Sequence, residues 1–450
     1  MTSRITFVGG AEEVTGSNFL LDAGSAQLMI DCGARESPLS DQANEPFPYD
    51  VTKITALLVT HAHQDHIGRI PELVRHGFRG AIYSTAATKD LAAVMLNDAL
   101  GIIEEEARRA QRVPPYEGSD IERALSQWET HRYHEAYTIA DLSIEMLDSG
   151  HILGGAMMKI SRGGRSVLFT GDIGNSPEPL LRDTESPEGV QYLVMESVYG
   201  DRTHENRERR KQLLREAVEE THARKGTLLI PSFSVERTQV LLSEMNDLVE
   251  REGMAALPVY LDSPLAAQVT TIFRKHTDLF NDAVQGKLKS GDDIFSFKGL
   301  VITDSARESL AIHREAGAKI IIAGAGMSNG GRVRMHEAAL LDDKNTMLLF
   351  SGYQAPGSLG RRLQEGAKKV RIDDTWVKVR AEIRSLTGYS GHADRDQLLS
   401  FLELAGEKLE RAFVVMGEPR SSLFFAQRAH DFLGVDAYVP HKGESIEITI

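Results

Sequence analysis

Apolar and polar positions change rhythm along the chain, and the changes outline its organisation. Up to about residue 60 the apolar residues come in short runs broken by Gly and Asp, the pattern of strands joined by turns. Ile5–Val8, Asn18–Asp22, Gln27–Ile30 and Ala56–Val59 are the strands expected there. Residues 86–112 are rich in Ala, Leu, Glu and Arg and predict one or two helices, stopped by Pro114-Pro115. Strands return at 143–147, 166–169 and 192–195. From about 205 the rhythm alternates. A charged helix over 206–224 precedes the strand Thr227–Ile230, and a helix over 236–252 precedes Val259–Leu261. Further strands follow at 299–302, 319–323 and 346–350. Such alternation implies parallel βαβ units. Beyond about 366 short strands return, followed by helices at Asp394–Leu404 and Ser421–Phe432.

Composition narrows the class. The chain has 450 residues, with 51 Lys+Arg against 65 Asp+Glu, a net charge of −14. That balance argues against a protein that coats polyanions without specificity, although local cations and metal can still do phosphate work. No apolar run approaches the ~18 residues of a spanning helix, so no membrane partner is expected. Met1–Phe7 opens on a strand pattern rather than an apolar leader, and the one cysteine, Cys32, has no partner for an internal disulfide. A cytoplasmic, reducing location is the expectation.

The chemistry concentrates in Thr60-His61-Ala62-His63-Gln64-Asp65-His66, directly after a buried strand. Imidazole nitrogens and carboxylate oxygens are the donors a zinc-class ion prefers. His61 and His63, two apart on extended chain, can grip one ion. Asp65 and His66, after a turn, can reach a second. More ligands are needed, and two strand ends offer them: His151 in Ser149-Gly150-His151, and Asp172 in Thr170-Gly171-Asp172, whose carboxylate could bridge both ions. Isolated histidines such as His76, His222 and His276 read instead as locally satisfied side chains.

With Asp31 in Ile30-Asp31-Cys32-Gly33, this set resembles the metallo-β-lactamase superfamily. Met195–Gly200, Leu261–Ala266, Gly326–Arg332 and Tyr389–Asp394 resemble its β-CASP branch of nucleases. Phe350–Arg361 resembles the RNA-processing members related to the cleavage-and-polyadenylation endonuclease. The resemblance covers nearly the whole chain. It implies an α/β fold: an αββα metallo-β-lactamase sandwich from residues 1–204 and 366–450, a β-CASP α/β domain inserted at 205–365, and an active site in the cleft between them. It implies two Zn²⁺, one held at His61, His63 and His151, the other at Asp65 and His66, with Asp172 bridging and Asp31 orienting. Asp65, Glu196 and His392 would carry catalytic roles, His392 protonating the leaving oxygen and Glu196 orienting it.

The implied activity is a zinc-dependent ribonuclease that hydrolyses RNA phosphodiesters, single-stranded RNA above all, through a metal-bound hydroxide in RNA processing or decay. In one position the chain departs from that pattern: Met416 stands where RNA-cleaving relatives place a histidine ligand, and a thioether is a poorer zinc ligand than imidazole. Packing under the site is the favoured reading of Met416, and a weaker second metal site is the other. DNA as substrate, an RNA-binding subunit with a weakened metal site, hydrolysis of a small ester, and a homodimer stay open alongside. For substrate contact the candidates are Ser232 and Arg237, the Gly-rich turn with Ser328, Gly330, Gly331 and Arg332, then Ser358, Arg361 and Ser390. Gly-rich turns at strand ends present N–H groups to phosphate.

Overall fold

A computed structural model describes residues 1–35, 45–204, 207–355 and 357–450. Asn206, in the expected charged helix, and Pro356, in the Phe350–Arg361 motif, lie outside the described residues. The chain divides into two compact units, Met1–Thr203 with His392–Ile450, and His204–Gly391.

The first unit is an αββα sandwich. One sheet runs in the order Ser445–Thr449, Thr2–Gly9, Asn18–Asp22, Gln27–Ile30, Ala56–Leu58, Ala81–Ser84 and Trp128–Thr130. The other runs Ala437–Tyr438, Arg411–Val415, Tyr192–Glu196, Arg165–Phe169, Ala156–Arg162, Leu142–Asp148 and Tyr137–Ile139. The period-2 alternation of a strand sorts its side chains between two cores. Val167, Phe169, Val194, Phe413 and Val415 point between the sheets, against Ile5, Phe7, Phe19, Leu28 and Ile30. Leu168, Leu193, Met195, Ala412 and Val414 point outward, under Leu398, Phe401 and Leu402 of helix Arg395–Leu404 and Phe425 of helix Pro419–Leu433. Burial on both faces explains why these strands read as unbroken apolar runs. Helix Ala86–Ala110 takes its N-cap from Thr85, whose hydroxyl accepts from the Thr88 N–H at 3.2 Å.

The second unit is doubly wound. Its sheet runs Leu300–Ile302, Val259–Asp262, Lys319–Ala323, Thr227–Pro231, Thr346–Phe350 and Glu382–Ser385, with parallel pairing throughout. Leu229, Ile321, Leu348 and Phe350 form its core with Val333, Leu359 and Leu363. Two expectations need revision. Strand Glu382–Ser385 pairs with Thr346–Phe350, so the second unit continues to Gly391, past the expected boundary at 365. The helix expected over 236–252 is α-helical only over Arg237–Asn246 and finishes as a π-turn, Asp247–Arg251. Among the described residues no helix is long and apolar enough to cross a membrane.

Candidate metal centre

The run after Ala56–Leu58 leaves its strand extended and then turns. His63 is extended (φ −71°, ψ 149°) and caps the short helix Gln64–Ile67, whose first bonds are His66 N–H to His63 C=O at 2.9 Å and Ile67 N–H to the same oxygen at 3.0 Å. His61 and His63 therefore precede the short helix, and Asp65 and His66 lie on it. His151 follows Leu142–Asp148, and Asp172 follows Arg165–Phe169. Close approach there requires glycine. A Cβ on Gly171 (φ +55°) would stand 2.6 Å from Thr60 Oγ1, and one on Gly150 (φ +63°) 2.8 Å from the Thr184 nitrogen.

Four side chains meet at one point. His61 Nε2 and His151 Nε2 stand 3.1 and 3.2 Å from His63 Nδ1, and 3.3 and 3.4 Å from Asp172 Oδ2. Ligand atoms on a tetrahedral zinc, with bonds of about 2.0–2.1 Å, lie about 3.3 Å apart, so this donor set fits such an ion. A second group adjoins it. His66 Nε2 is 3.4 Å from Asp172 Oδ1 and 3.9 Å from Asp65 Oδ2. His66 Nε2 and Asp172 Oδ1 are buried atoms without a hydrogen bond, a costly arrangement that a cation between them would resolve. The two oxygens of Asp172 thus face separate groups, the geometry of a bridging carboxylate.

Asp31, itself at φ +59°, fixes the ring orientations. Its carboxylate accepts from the Thr60 N–H at 2.8 Å, from the Thr60 hydroxyl at 2.9 Å, from the Ser17 hydroxyl at 3.1 Å and from His66 Nδ1–H at 2.7 Å. Thr60 Oγ1 is also 3.1 Å from His61 Nδ1. Both rings then direct Nε2 toward Asp172. Ser17 acts through Asp31 alone, whereas Thr60 contacts both Asp31 and His61; spacing along the sequence assigned a role to neither hydroxyl. Substituting Asp31→Asn, which keeps the backbone conformation accessible, is expected to weaken metal binding about 10- to 100-fold. Chelator-competition titration measures it, with circular dichroism as the control for folding.

Charge states suit ligation at the first group, formed by His61, His63 and His151. Burial holds His63 and His151 well below the ordinary imidazole value, which keeps them neutral. Burial, and then His66, lowers His61 as well. His66 is raised well above the ordinary value: burial opposes its charge, but Asp172, Asp31 and Asp65 outweigh it. Against the pull of burial, His66, His61 and His392 hold Asp172 well below the usual carboxylate range.

Beside this cluster lies an acid–imidazole pair. Glu196, fully buried at the end of Tyr192–Glu196, accepts from the Ile173 N–H at 2.7 Å and stands 3.2 Å from His392 Nδ1. The same nitrogen is 3.9 Å from Asp172. His392 is anchored by a bridge to Gly174 and by the Ala393 N–H donating to Ile173 C=O at 2.8 Å. Burial penalises the imidazolium, but Glu196 and Asp172 raise His392 to about 9. Burial raises the Glu196 carboxyl against the effect of His392.

Met416 belongs to the inter-sheet core, at 2% exposure. It sits at φ +48°, donates its N–H to Gly10 C=O at 2.6 Å, and lays its sulfur against Gly10.

The residues expected to meet substrate all belong to the second unit, and several have internal work. Ser232 is buried and accepts from the Thr238 hydroxyl at 3.0 Å; Arg237 opens a helix. Ser328, at φ +60°, donates to Glu337 Oε1 at 2.5 Å, and burial raises that carboxyl to about 8. Gly330 and Gly331 form the turn after Lys319–Ala323. Arg332 is engaged by Asp262 at 2.6 Å, Thr303 C=O at 3.2 Å and Asp304 C=O at 2.8 Å. Ser358 caps helix Leu359–Gln364, Arg361 pairs with Glu365 at 2.7 Å, and Ser390 is buried.

Comparison with known proteins gives three family-model matches. They are a Metallo-beta-lactamase superfamily domain over residues 20–196, a Beta-Casp domain over 238–363, and a Zn-dependent metallo-hydrolase RNA specificity domain over 376–440. A ribonuclease of Thermus thermophilus, TTHA0252, is 36% identical over 93% of this chain and 94% of its own. The transcription termination factor FttA of Methanosarcina mazei is 29% identical over 96% of this chain and 70% of its own. A crystal structure of a protein of unknown function from Enterococcus faecalis V583 covers 100% of both chains with a TM-score of 0.58 at 13% identity, a likeness of fold alone.

Proposed function

We propose, on the premise that this chain belongs to the β-CASP branch of the metallo-β-lactamase superfamily and is a metal-dependent nuclease, that it hydrolyses RNA phosphodiesters with two zinc ions. The observation that carries the reading is the convergence of His61, His63, His151 and Asp172 beside the Glu196–His392 pair. The ribonuclease relative and the RNA specificity match support RNA as the polymer.

His61, His63, His151 and Asp172 would hold one ion; Asp65, His66 and the other Asp172 oxygen would hold the second. Bound there, the ions supply positive charge to the phosphoryl oxygens and ease deprotonation of the attacking water. The chain's own residues do the remaining work. Asp31 and Thr60 hold two of the rings in one tautomer and angle. Glu196 holds His392 through Nδ1, which leaves Nε2 as the atom that delivers a proton to the departing oxygen. The second group has fewer protein donors than the first, consistent with Met416 lying in the core, and is the more open of the two.

Glu196→Gln tests the pair. Gln retains an acceptor for the Ile173 N–H but removes the charge that keeps His392 protonated. The turnover number is expected to fall about 10²-fold with metal content unchanged by elemental analysis. RNA and DNA strands of one sequence, assayed side by side, separate the RNA reading from its DNA alternative: comparable cleavage of both would remove the RNA assignment.

A further inference from the structure

The strands Lys369–Ile372 and Thr375–Lys378 form a two-stranded antiparallel sheet of their own in the second unit. One face is apolar: Val370, Ile372 and Val377 are buried in that unit's core. The other face carries Lys369 opposite Lys378 and Arg371 opposite Trp376, and all four are exposed. Two features of that face lack a structural reason. Like charges directly opposite on a hairpin destabilise it, yet Lys369 and Lys378 are paired. Trp376 is 59% exposed, although the chain's other tryptophan, Trp128, is 4% exposed and hydrogen-bonded to Ser84. Lysines alone would guard a strand edge against aggregation; an exposed indole among them invites contact.

The local charge is opposite to that of the chain. Lys368, Lys369, Arg371, Lys378 and Arg380 face only Asp373 and Asp374 within the hairpin, both at its turn, in a protein of net charge −14. Neighbouring groups absorb part of this. Arg371 pairs with Asp374 at 3.0 Å, Arg380 with Asp342 at 2.8 Å, and Asp373 with Arg334 at 2.9 Å. Lys369 Nζ lies 5.1 Å from the Trp376 ring centroid, a cation over an aromatic face.

We propose that this face binds single-stranded RNA, a base stacking on Trp376 while Lys369, Lys378 and Arg371 take adjacent phosphates. An aromatic flanked by cations is the chemistry of sequence-tolerant strand binding. The assignment of RNA rests on the proposed function; the platform itself rests on the hairpin. Trp376→Ala and the pair Lys369→Glu/Lys378→Glu are expected to raise KM about tenfold for an unstructured RNA of some twenty nucleotides, with kcat within about twofold of wild type. Trp376→Phe, which keeps a stacking ring, should retain the wild-type KM. Titrating the intact protein with the same RNA should quench Trp376 fluorescence, and Trp376→Phe should remove that response. The quenching is read without turnover, so it stands even if the wild type cleaves no RNA, an outcome that would instead remove the proposed substrate. Unchanged KM in all variants together with unquenched fluorescence overturns the platform. Equal quenching by polyglutamate or by anionic phospholipid vesicles also overturns it, since it would mark a general anion surface.

Discussion

Asp172→Ala is expected to lower RNA cleavage by at least about three orders of magnitude, a loss of roughly 4 kcal/mol in transition-state stabilisation. Among the described residues no other single side chain faces both groups. One oxygen faces His61 and His151, the other faces His66. The carboxylate is also 98% removed from solvent, so water would replace it poorly. Alanine leaves three buried Nε2 atoms aimed at a void and deprives His66 of the strongest of the charges that raise it against burial. Single-turnover kinetics measures the rate, and elemental analysis should find metal content reduced in the same preparation. A variant with wild-type metal content and wild-type rate would show that the bridge is dispensable.

The largest expected effect on stability lies in the second unit, at Asp262. Its fully buried carboxylate accepts from the Thr303 hydroxyl at 2.5 Å, from Arg332 at 2.6 Å, from His336 Nε2 at 2.6 Å and from the Ser309 hydroxyl. It ties the strand Val259–Asp262 to the turn and helix after Lys319–Ala323. Removing one partner of a buried, hydrogen-bonded ion pair leaves an uncompensated charge and typically costs about 3–5 kcal/mol. Asp262→Ala should therefore lower the urea midpoint of unfolding by that equivalent. Burial opposes ionisation of Asp262, but bonds from His336, Ser309, Thr303 and Arg332 hold it below the usual carboxylate range. A depressed folded value contributes stability that is complete above the unfolded value, about 4, and is lost as pH falls toward the folded one. Wild type should lose stability below that point more steeply than Asp262→Asn, as acid titrations followed by circular dichroism would record.

The His/Asp cluster that could hold metal was legible because its residues have no apolar alternative role. Histidines and aspartates at strand ends, at spacings set by extended chain and then a turn, imply their own convergence. The roles of Thr60 and Ser17 were not legible, because a hydroxyl that orients a neighbouring ring or carboxylate leaves no pattern. The Asp262 network was hidden for a related reason. Leu261–Ala266 read as a motif, but nothing local shows that Thr303, Ser309, Arg332 and His336 close on one oxygen pair. Arg332 also shows that a Gly-rich turn at a strand end can owe its cation to the fold itself.

Strand recognition failed where local chemistry is weak and pairing decides. Ala156–Arg162 contains Met157, Met158 and Lys159, none a strong β-former, and is held by Leu142–Asp148 on one side and Arg165–Phe169 on the other. Tyr137–Ile139 is too short to show alternation. Three of the four residues of Glu382–Ser385 are polar because it is an edge strand, and with its pairing to Thr346–Phe350 the second unit runs on to Gly391.

The central claim is that histidine-held metal cleaves RNA, and one side-by-side time course tests it most directly. End-labelled single-stranded RNA is incubated with zinc-loaded wild type and with His63→Ala, which removes the nitrogen lying between His61 and His151. Rapid cleavage by wild type and a loss of about 10³-fold or more in the variant is the predicted result; equal cleavage by the two proteins would contradict it.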